Sequence, residues 1–230
     1  MFKINKIINP YHTSFIGSFG RGFGQFNLPG LTFGTRAPVH GSGGGTYPPS
    51  GWTGLQNASV DDSFVSAPIP SFALNLTGYT TVYIGSNTYL TFGSGSTVYS
   101  ALSASNPALN KLHLGAADNS YQRVSYFQSG NDFTRIRYEG NGSTSGTLGA
   151  PGIVYEATFF RNGLTGGLPV VEVLFGNHNR TTGIAGIYNT STAYATYWQS
   201  ANQSYVFYGN TATGTSWTIF VGYHMSRMGY

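Results

Sequence analysis

Two glutamates on neighbouring predicted strands are the strongest candidates for chemistry in this sequence. Glu156 is central in IVYEATFF and Glu172 is central in VVEVLFG. Because consecutive strands usually pair, the two carboxyls are expected to lie close together, as the acid and base of a glycosidase do. Strand alternation also places Arg135, Arg137 and Glu139 of TRIRYEG on one face. Arginines on that face would neutralise both acids, so the sequence favours a structural row of ion pairs, and no catalytic residue is assigned.

Other groups that bind metals or activate nucleophiles do not form a recognisable motif. The chain has no cysteine. Its five histidines show no i, i+2 or i, i+4 pairing: His12, His40, His113, His178 and His224. Asp61-Asp62 and Asp118-Asn119 lack the alternating acidic positions of a calcium loop, and turn formation is the better interpretation. The sequence therefore predicts no metal site and no cofactor.

Aromatic residues in STAYATYWQSANQSYVFYG offer a different kind of site. Tyr194, Trp198, Tyr205 and Tyr208 could line a glycan-binding face, since flat rings stack on sugars. Aromatic side chains more often serve the core or an interface, where they bury a large area. The core or interface interpretation is favoured, and the glycan site stays as an alternative.

The elements that position these residues are short strands. From about Ser63 onward, runs of β-branched and aromatic residues alternate with turn residues at intervals of about ten. The pattern predicts an all-β, antiparallel β-sandwich of about a dozen strands, with a hairpin within Thr80–Ser96. Alternation gives the expected core: Val82, Ile84, Leu90, Phe92, Ile136, Tyr138, Val171, Val173 and Phe175.

A glycine- and phenylalanine-rich segment precedes the strands. We divide the chain into an extended arm and linker, residues 1–50, and a β-sandwich domain, residues 51–230. Glycines between the phenylalanines disfavour a helix, at about 1 kcal/mol each relative to alanine. Aromatic side chains this dense are costly to leave in water, so the arm is expected to bind a partner. The residues expected to make that contact are Phe15, Phe19, Arg21, Phe23, Phe26, Phe33 and Arg36.

Charge is concentrated in the arm. Only 8% of the residues are charged, and the net charge is +4. Lys3, Lys6, Arg21 and Arg36 supply all of it, because the seven basic and seven acidic residues after Gly51 cancel. Four scattered cations would make a weak phosphate contact, so an acidic protein surface is favoured over nucleic acid. The nearly uncharged body is typical of a protein whose faces meet other protein faces in a permanent assembly.

The N-terminus and the apolar runs of the sequence show no targeting signal. No apolar run follows the basic start of MFKINKIINP, and no stretch approaches the length of a membrane span. Neither a secretory signal nor a membrane segment is predicted.

The stretch DDSFVSAPIPSFALNLTGYTTVYIGSNTYLTFGSGS, followed by GAADNSYQRVSYF and RIRYEGNGSTSG, resembles a known family. It is similar to nidogen-like β-domains, in a form found in virion proteins of tailed bacteriophages, particularly those of cyanobacteria. The resemblance covers about Gly51 to His224. Two positions depart from the pattern, since Thr88 stands where many such domains have glycine and Leu74-Asn75-Leu76 replaces an aromatic step.

The resemblance implies a non-enzymatic component of a virion that is assembled in the host cytoplasm. A capsid decoration or cement subunit is the favoured role, with the major capsid protein, other virion subunits and copies of itself as partners. A tail-fibre or adhesin component that binds a host-surface glycan is the main alternative. A secreted hydrolase is the third hypothesis.

Overall fold

The computed structural model of the chain describes residues 31–34, 45–98, 108–114, 119–142, 152–178, 184–190, 192–198, 203–221 and 224–227. These residues form strands and one short 3₁₀ helix, η1. The strands are β1 Leu31–Gly34, β2 Thr53–Ser59, β3 Phe64–Leu74, β4 Thr77–Gly85, β5 Tyr89–Phe92, β6 Asn110–Leu114, β7 Tyr121–Ser129, β8 Phe133–Gly140, β9 Ile153–Phe160, β10 Val170–His178, β11 Ile184–Tyr188, β12 Ala193–Trp198, β13 Ser204–Gly209, β14 Trp217–Val221 and β15 His224–Arg227. The helix is η1 Asn162–Leu164.

Two antiparallel sheets form a sandwich, which confirms the predicted fold class. The seven-stranded sheet has the order β14-β13-β10-β9-β8-β7-β2, and the six-stranded sheet has the order β12-β11-β6-β5-β4-β3. The chain passes between the sheets several times. β10 lies in the first, β11 and β12 in the second, and β13 in the first again. Residues adjacent in sequence can therefore face opposite outer surfaces of the molecule.

The core lies between the two sheets, where alternation predicted it. All nine expected core residues are at most 2% exposed. Phe72 is central, because its ring stacks on Phe92 of the same sheet and meets Phe159 and Trp217 of the other. The predicted hairpin is β4–β5, with Val82 opposite Phe92 and Ile84 opposite Leu90. Large aromatic side chains thus hold the two sheets together.

The two turns at which the sequence departs from the nidogen-like pattern both use left-handed backbone. Thr88 has a φ of 60°, and Asn75 and Leu76 have φ values of 53° and 68°. Asparagine adopts such values fairly readily, but they are uncommon for leucine and threonine, so neighbouring groups are expected to stabilise these turns. At the β3–β4 turn the amides of Asn75 and Leu76 donate to carbonyls of Gly214 and Thr213. Gly214 is required there, since a Cβ would collide with the backbone of Ala73.

The part of the predicted arm and linker that the structure describes lies against the strands. β1 pairs antiparallel with β15 in a separate two-stranded sheet, with Phe33 opposite Met225. The hydroxyl of Tyr47 donates to the carbonyl of Val124 at 2.7 Å and accepts the amide of Gln56 at 2.9 Å. Residues 45–52 are thereby fastened to the edge formed by β2 and β7.

Candidate functional site

The predicted row of arginines and glutamates is present on the outward face of the seven-stranded sheet. Arg137 on β8 contacts Glu139 at 2.8 Å and Glu156 on β9 at 3.0 Å. Arg135 lies 3.8 Å from Glu156, and Arg123 on β7 lies 3.9 Å from Glu139. Register explains the row, because Arg123 is directly opposite Glu139 and Arg137 is directly opposite Glu156.

Arg137 is the centre of this row. Glu139 and Glu156 are both buried, so their charges need a partner inside the protein. Burial of the Arg137 guanidinium opposes its charge, yet hydrogen bonds and charge from Glu139 and Glu156 outweigh that effect and raise the pKa of Arg137. The arrangement places two buried carboxyl groups around one arginine, which suits a structural role in holding β8 and β9 together.

Glu172 lies one strand further along the same face. It is buried on β10, opposite Thr158 of β9 and Val206 of β13. Glu156 is opposite Leu174, so the two glutamates are diagonal neighbours across β9 and β10. The sequence prediction that the two glutamates lie on paired neighbouring strands is thus correct. Both acids are buried, and Glu156 is engaged with Arg137, which does not favour a glycosidase pair.

The four aromatic residues considered for glycan binding do not share one face. Tyr194 lies on β12 in the six-stranded sheet, where its hydroxyl donates to Asn75 at 2.8 Å. The backbone of Trp198 pairs with Ile184 on that sheet, while the Trp198 ring lies outside what the structure describes. Tyr205 and Tyr208 are on β13 in the other sheet and are both buried, Tyr205 in the central core. A chain crossing between sheets separates residues that the sequence presents as one cluster.

Lys111 and His113 form a second set of buried polar side chains, which the sequence pattern does not predict. Lys111 and His113 alternate with Leu112 and Leu114 on β6, so they point away from the core, yet both are buried. The ammonium of Lys111 lies 5.5 Å from the ring centre of Tyr188, and the His113 ring lies 4.7 Å from the same ring. His113 Nε2 is buried without a hydrogen-bond partner. The K-x-H spacing is the available signal in the sequence, but alternation alone does not show that outward positions are buried.

Burial changes the titration of both groups. Burial lowers the pKa of Lys111 to about 8. Burial, together with the positive charge of Lys111, lowers the pKa of His113 to about 3. At neutral pH the imidazole is therefore uncharged, and it lies beside a lysine that loses its proton more readily than an exposed one.

Lys111 should make stability rise with pH on the alkaline side of neutrality. The unfolded chain keeps the lysine proton up to about pH 10.4, whereas the folded chain releases it near pH 8. The unfolded state thus binds more protons between these values, and the free energy of unfolding should increase by about 1 kcal/mol from pH 7 to pH 9. Denaturant titrations at several pH values measure this change. Lys111→Met should remove the increase, and an equal increase in that variant would contradict the assignment.

Most of the arm residues predicted to bind a partner lie outside the described residues. These are Phe15, Phe19, Arg21, Phe23, Phe26 and Arg36. Phe33 is the exception, since its backbone belongs to β1. The partner contact therefore stays a prediction.

The part of the chain that the structure describes contains no cluster of His, Asp and Glu side chains and no membrane-spanning helix. Within it, no group of three or more His, Asp or Glu side chains could hold a metal ion. No helix among those residues is long and apolar enough to cross a membrane. No family model matches the chain, and searches of curated proteins and of solved structures also found no match.

Proposed function

We propose that this chain is a non-enzymatic structural subunit of a phage particle, most concretely a capsid decoration or cement subunit anchored by its N-terminal arm. The proposal that the protein is not an enzyme rests on how the buried glutamates are paired. Glu139 and Glu156 are both buried, and both are paired with Arg137. Buried, ion-paired acids of this kind stabilise strand pairing, and their burial limits contact with a substrate.

The particle role rests on composition and on the resemblance to nidogen-like virion domains. With 8% charged residues, most of the polar surface must come from Ser, Thr, Asn, Gln and Gly. Permanent protein–protein interfaces are depleted in charged residues at their centres. A domain with so few charged residues therefore suits a permanent assembly. The basic arm suits an acidic surface of the major capsid protein, of another virion subunit or of a second copy. The proposed location is the virion, assembled in the host cytoplasm.

Removing the candidate acids should cost stability and no activity. Glu156→Gln takes one charge from Arg137, and Glu172→Gln tests the second acid of the glycosidase hypothesis. We expect a loss of about 1–3 kcal/mol in the free energy of unfolding for Glu156→Gln, since a buried charged group loses a charged partner. Glycan cleavage is measured in parallel on a panel of polysaccharides. Cleavage by the natural chain that disappears in either variant would show that the protein is an enzyme.

The arm should be necessary for incorporation into particles. In a full-length variant, Phe15, Phe19, Phe23 and Phe26 are replaced by serine. Each replacement removes about 1.5–3 kcal/mol of the binding free energy that burial of the phenyl ring would contribute. We therefore expect the variant to stay in the soluble fraction while particles assemble, and gels of purified particles measure its incorporation. Replacing Tyr194, a half-buried aromatic outside the arm, by serine is the matched control.

Copy number separates the proposed role from a role in the tail. A decoration subunit should be present in copy numbers comparable with the major capsid protein, whereas a tail-fibre or adhesin component should be far rarer. Quantitative gels of purified particles give that ratio. Normal incorporation of the serine variant would contradict anchoring by the arm, whatever the ratio.

A further inference from the structure

Three segments of the chain meet beside the start of β3. The segments are residues 61–63, residues 86–88 between β4 and β5, and residues 94–98 after β5. The ring of Phe64 lies directly against Gly95, where an added Cβ would collide with it. The hydroxyl of Tyr89 lies 2.9 Å from the carbonyl oxygen of Ser96 and 3.0 Å from that of Val98. These contacts hold residues 94–98 against β3 and β5.

Asn87 connects the three segments. Its Nδ2 donates to Oδ1 of Asp62 at 2.8 Å and to the carbonyl of Val98 at 3.3 Å. The residue is 2% exposed, and its Oδ1 is buried with no hydrogen-bond partner among the described residues. Because a buried acceptor without a partner destabilises a protein, this oxygen is expected to contact a bound ion or molecule.

The buried oxygen of Asn87 lies near two other oxygens. The nitrogen and oxygen of a carboxamide are about 2.2 Å apart, so Asn87 Oδ1 is at most about 5 Å from Asp62 Oδ1 and about 5.5 Å from the Val98 oxygen. Two oxygens that bind one Ca²⁺, each at about 2.3–2.6 Å, are up to about 5 Å apart. One ion can therefore join Asp62 to Asn87, with the Val98 carbonyl close by as a further ligand.

We propose that Asp62, Asn87 and Val98 form a Ca²⁺ site that fastens the three segments to one another. Carboxylate, carboxamide and carbonyl oxygens are the ligands that Ca²⁺ takes, and its flexible coordination accepts ligands from separate loops. The alternating acids of a single calcium loop are therefore not needed. Mg²⁺ demands near-ideal octahedral geometry, so it should bind more weakly here.

The surroundings of the site set its access and its affinity. Asp62 is exposed, so an ion can enter from solution and keep water on its outer side. Only one carboxylate belongs to the site, and Asp61 beside it adds a second negative charge. Because few charges bind the ion, the Kd should be about 0.1–1 mM, as in weak extracellular calcium modules. The site does not depend on the proposed particle role, and the soluble subunit is sufficient to test it.

Calcium titration of the full-length chain tests the proposal. Calorimetry should give one site, and CaCl₂ at about 10 mM should raise the Tm by about 3–10 °C, because the ion binds the folded state only. Asp62→Asn removes the one carboxylate ligand and should weaken binding at least about tenfold. Asp132→Asn is the matched control, since it removes the same charge between β7 and β8, where Asp132 pairs with Arg161. An unchanged Tm in CaCl₂, or an Asp62→Asn variant that binds as tightly as the natural chain, would overturn the proposal.

Asn87→Asp distinguishes a bound ion from a buried water molecule, and it decides the matter should Asp62→Asn fail to fold. The new carboxylate lies beside Asp62, so without Ca²⁺ the two negative charges repel and the Tm should be lower than in the natural chain. Ca²⁺ would join the two carboxylates, so it should raise the Tm of this variant by more than it raises that of the natural chain. A variant that is destabilised equally with and without CaCl₂ would mean that the Asn87 oxygen binds water, and the proposal would be wrong.

Discussion

Arg137→Met is expected to lower the free energy of unfolding by about 3–5 kcal/mol, the cost of breaking a buried ion pair from one side. Arg137 contacts Glu139 at 2.8 Å and Glu156 at 3.0 Å, and the side chains of both glutamates are less than 10% exposed. Methionine fills a similar volume but leaves two carboxylates without their main cation. Denaturant unfolding followed by tryptophan fluorescence at neutral pH measures the loss.

Arg161→Met is the control for this experiment. Arg161 pairs with Asp132 at 3.1 Å, a distance similar to those at Arg137, but half of its side chain is exposed. An exposed pair contributes at most about 1 kcal/mol. If the two variants lose the same small amount of stability, the ion pairs of Arg137 are exposed to water in solution.

The strand pattern allowed most of the body to be predicted, because period-two alternation is a local property. Val82, Ile84, Leu90 and Phe92 follow it without interruption, and all four lie in the core. The ion-pair row also followed from alternation plus pairing of consecutive strands. β2 was not predicted as a strand. Its TGLQNAS sequence is polar and lies at a sheet edge, where burial imposes little pattern.

Sheet membership could not be predicted from the sequence. Tyr194 and Tyr205 are close along the chain, but β12 and β13 belong to different sheets. The sequence between two strands does not reveal whether the second strand pairs with the first or joins the opposite sheet. For the same reason the four candidate glycan-binding aromatics were grouped as one site, which the fold separates.

The sequence pattern also does not predict which outward-facing side chains are buried. Lys111 and His113 occupy positions that alternation assigns to solvent, as do Glu156 and Thr158. Each of the four is nevertheless buried. Whether an outward position is buried depends on contacts between residues that can be far apart in sequence. A strand's own residues therefore indicate which side faces the core, and they do not indicate whether the other side meets water.

Acid should destabilise the protein through His113. The folded-state pKa of His113 is about 3, whereas an unfolded histidine has its usual value near 6.5. Stability is therefore complete above pH 6.5 and falls as the unfolded chain takes up a proton that the folded chain refuses. From pH 7.5 to pH 5 the expected loss from this residue is about 2 kcal/mol.

His113→Phe isolates this contribution, because it keeps a ring beside Tyr188 and cannot titrate. The other four histidines are present in both proteins and cancel in the difference between them. Denaturant titrations at pH 7.5, 6 and 5 should give a slope that is steeper for the natural chain. Lys111→Met should make the acid loss smaller, since the charge of Lys111 contributes to the low pKa of His113. Equal slopes in the natural chain and in His113→Phe would mean that the imidazole reaches water in the folded state.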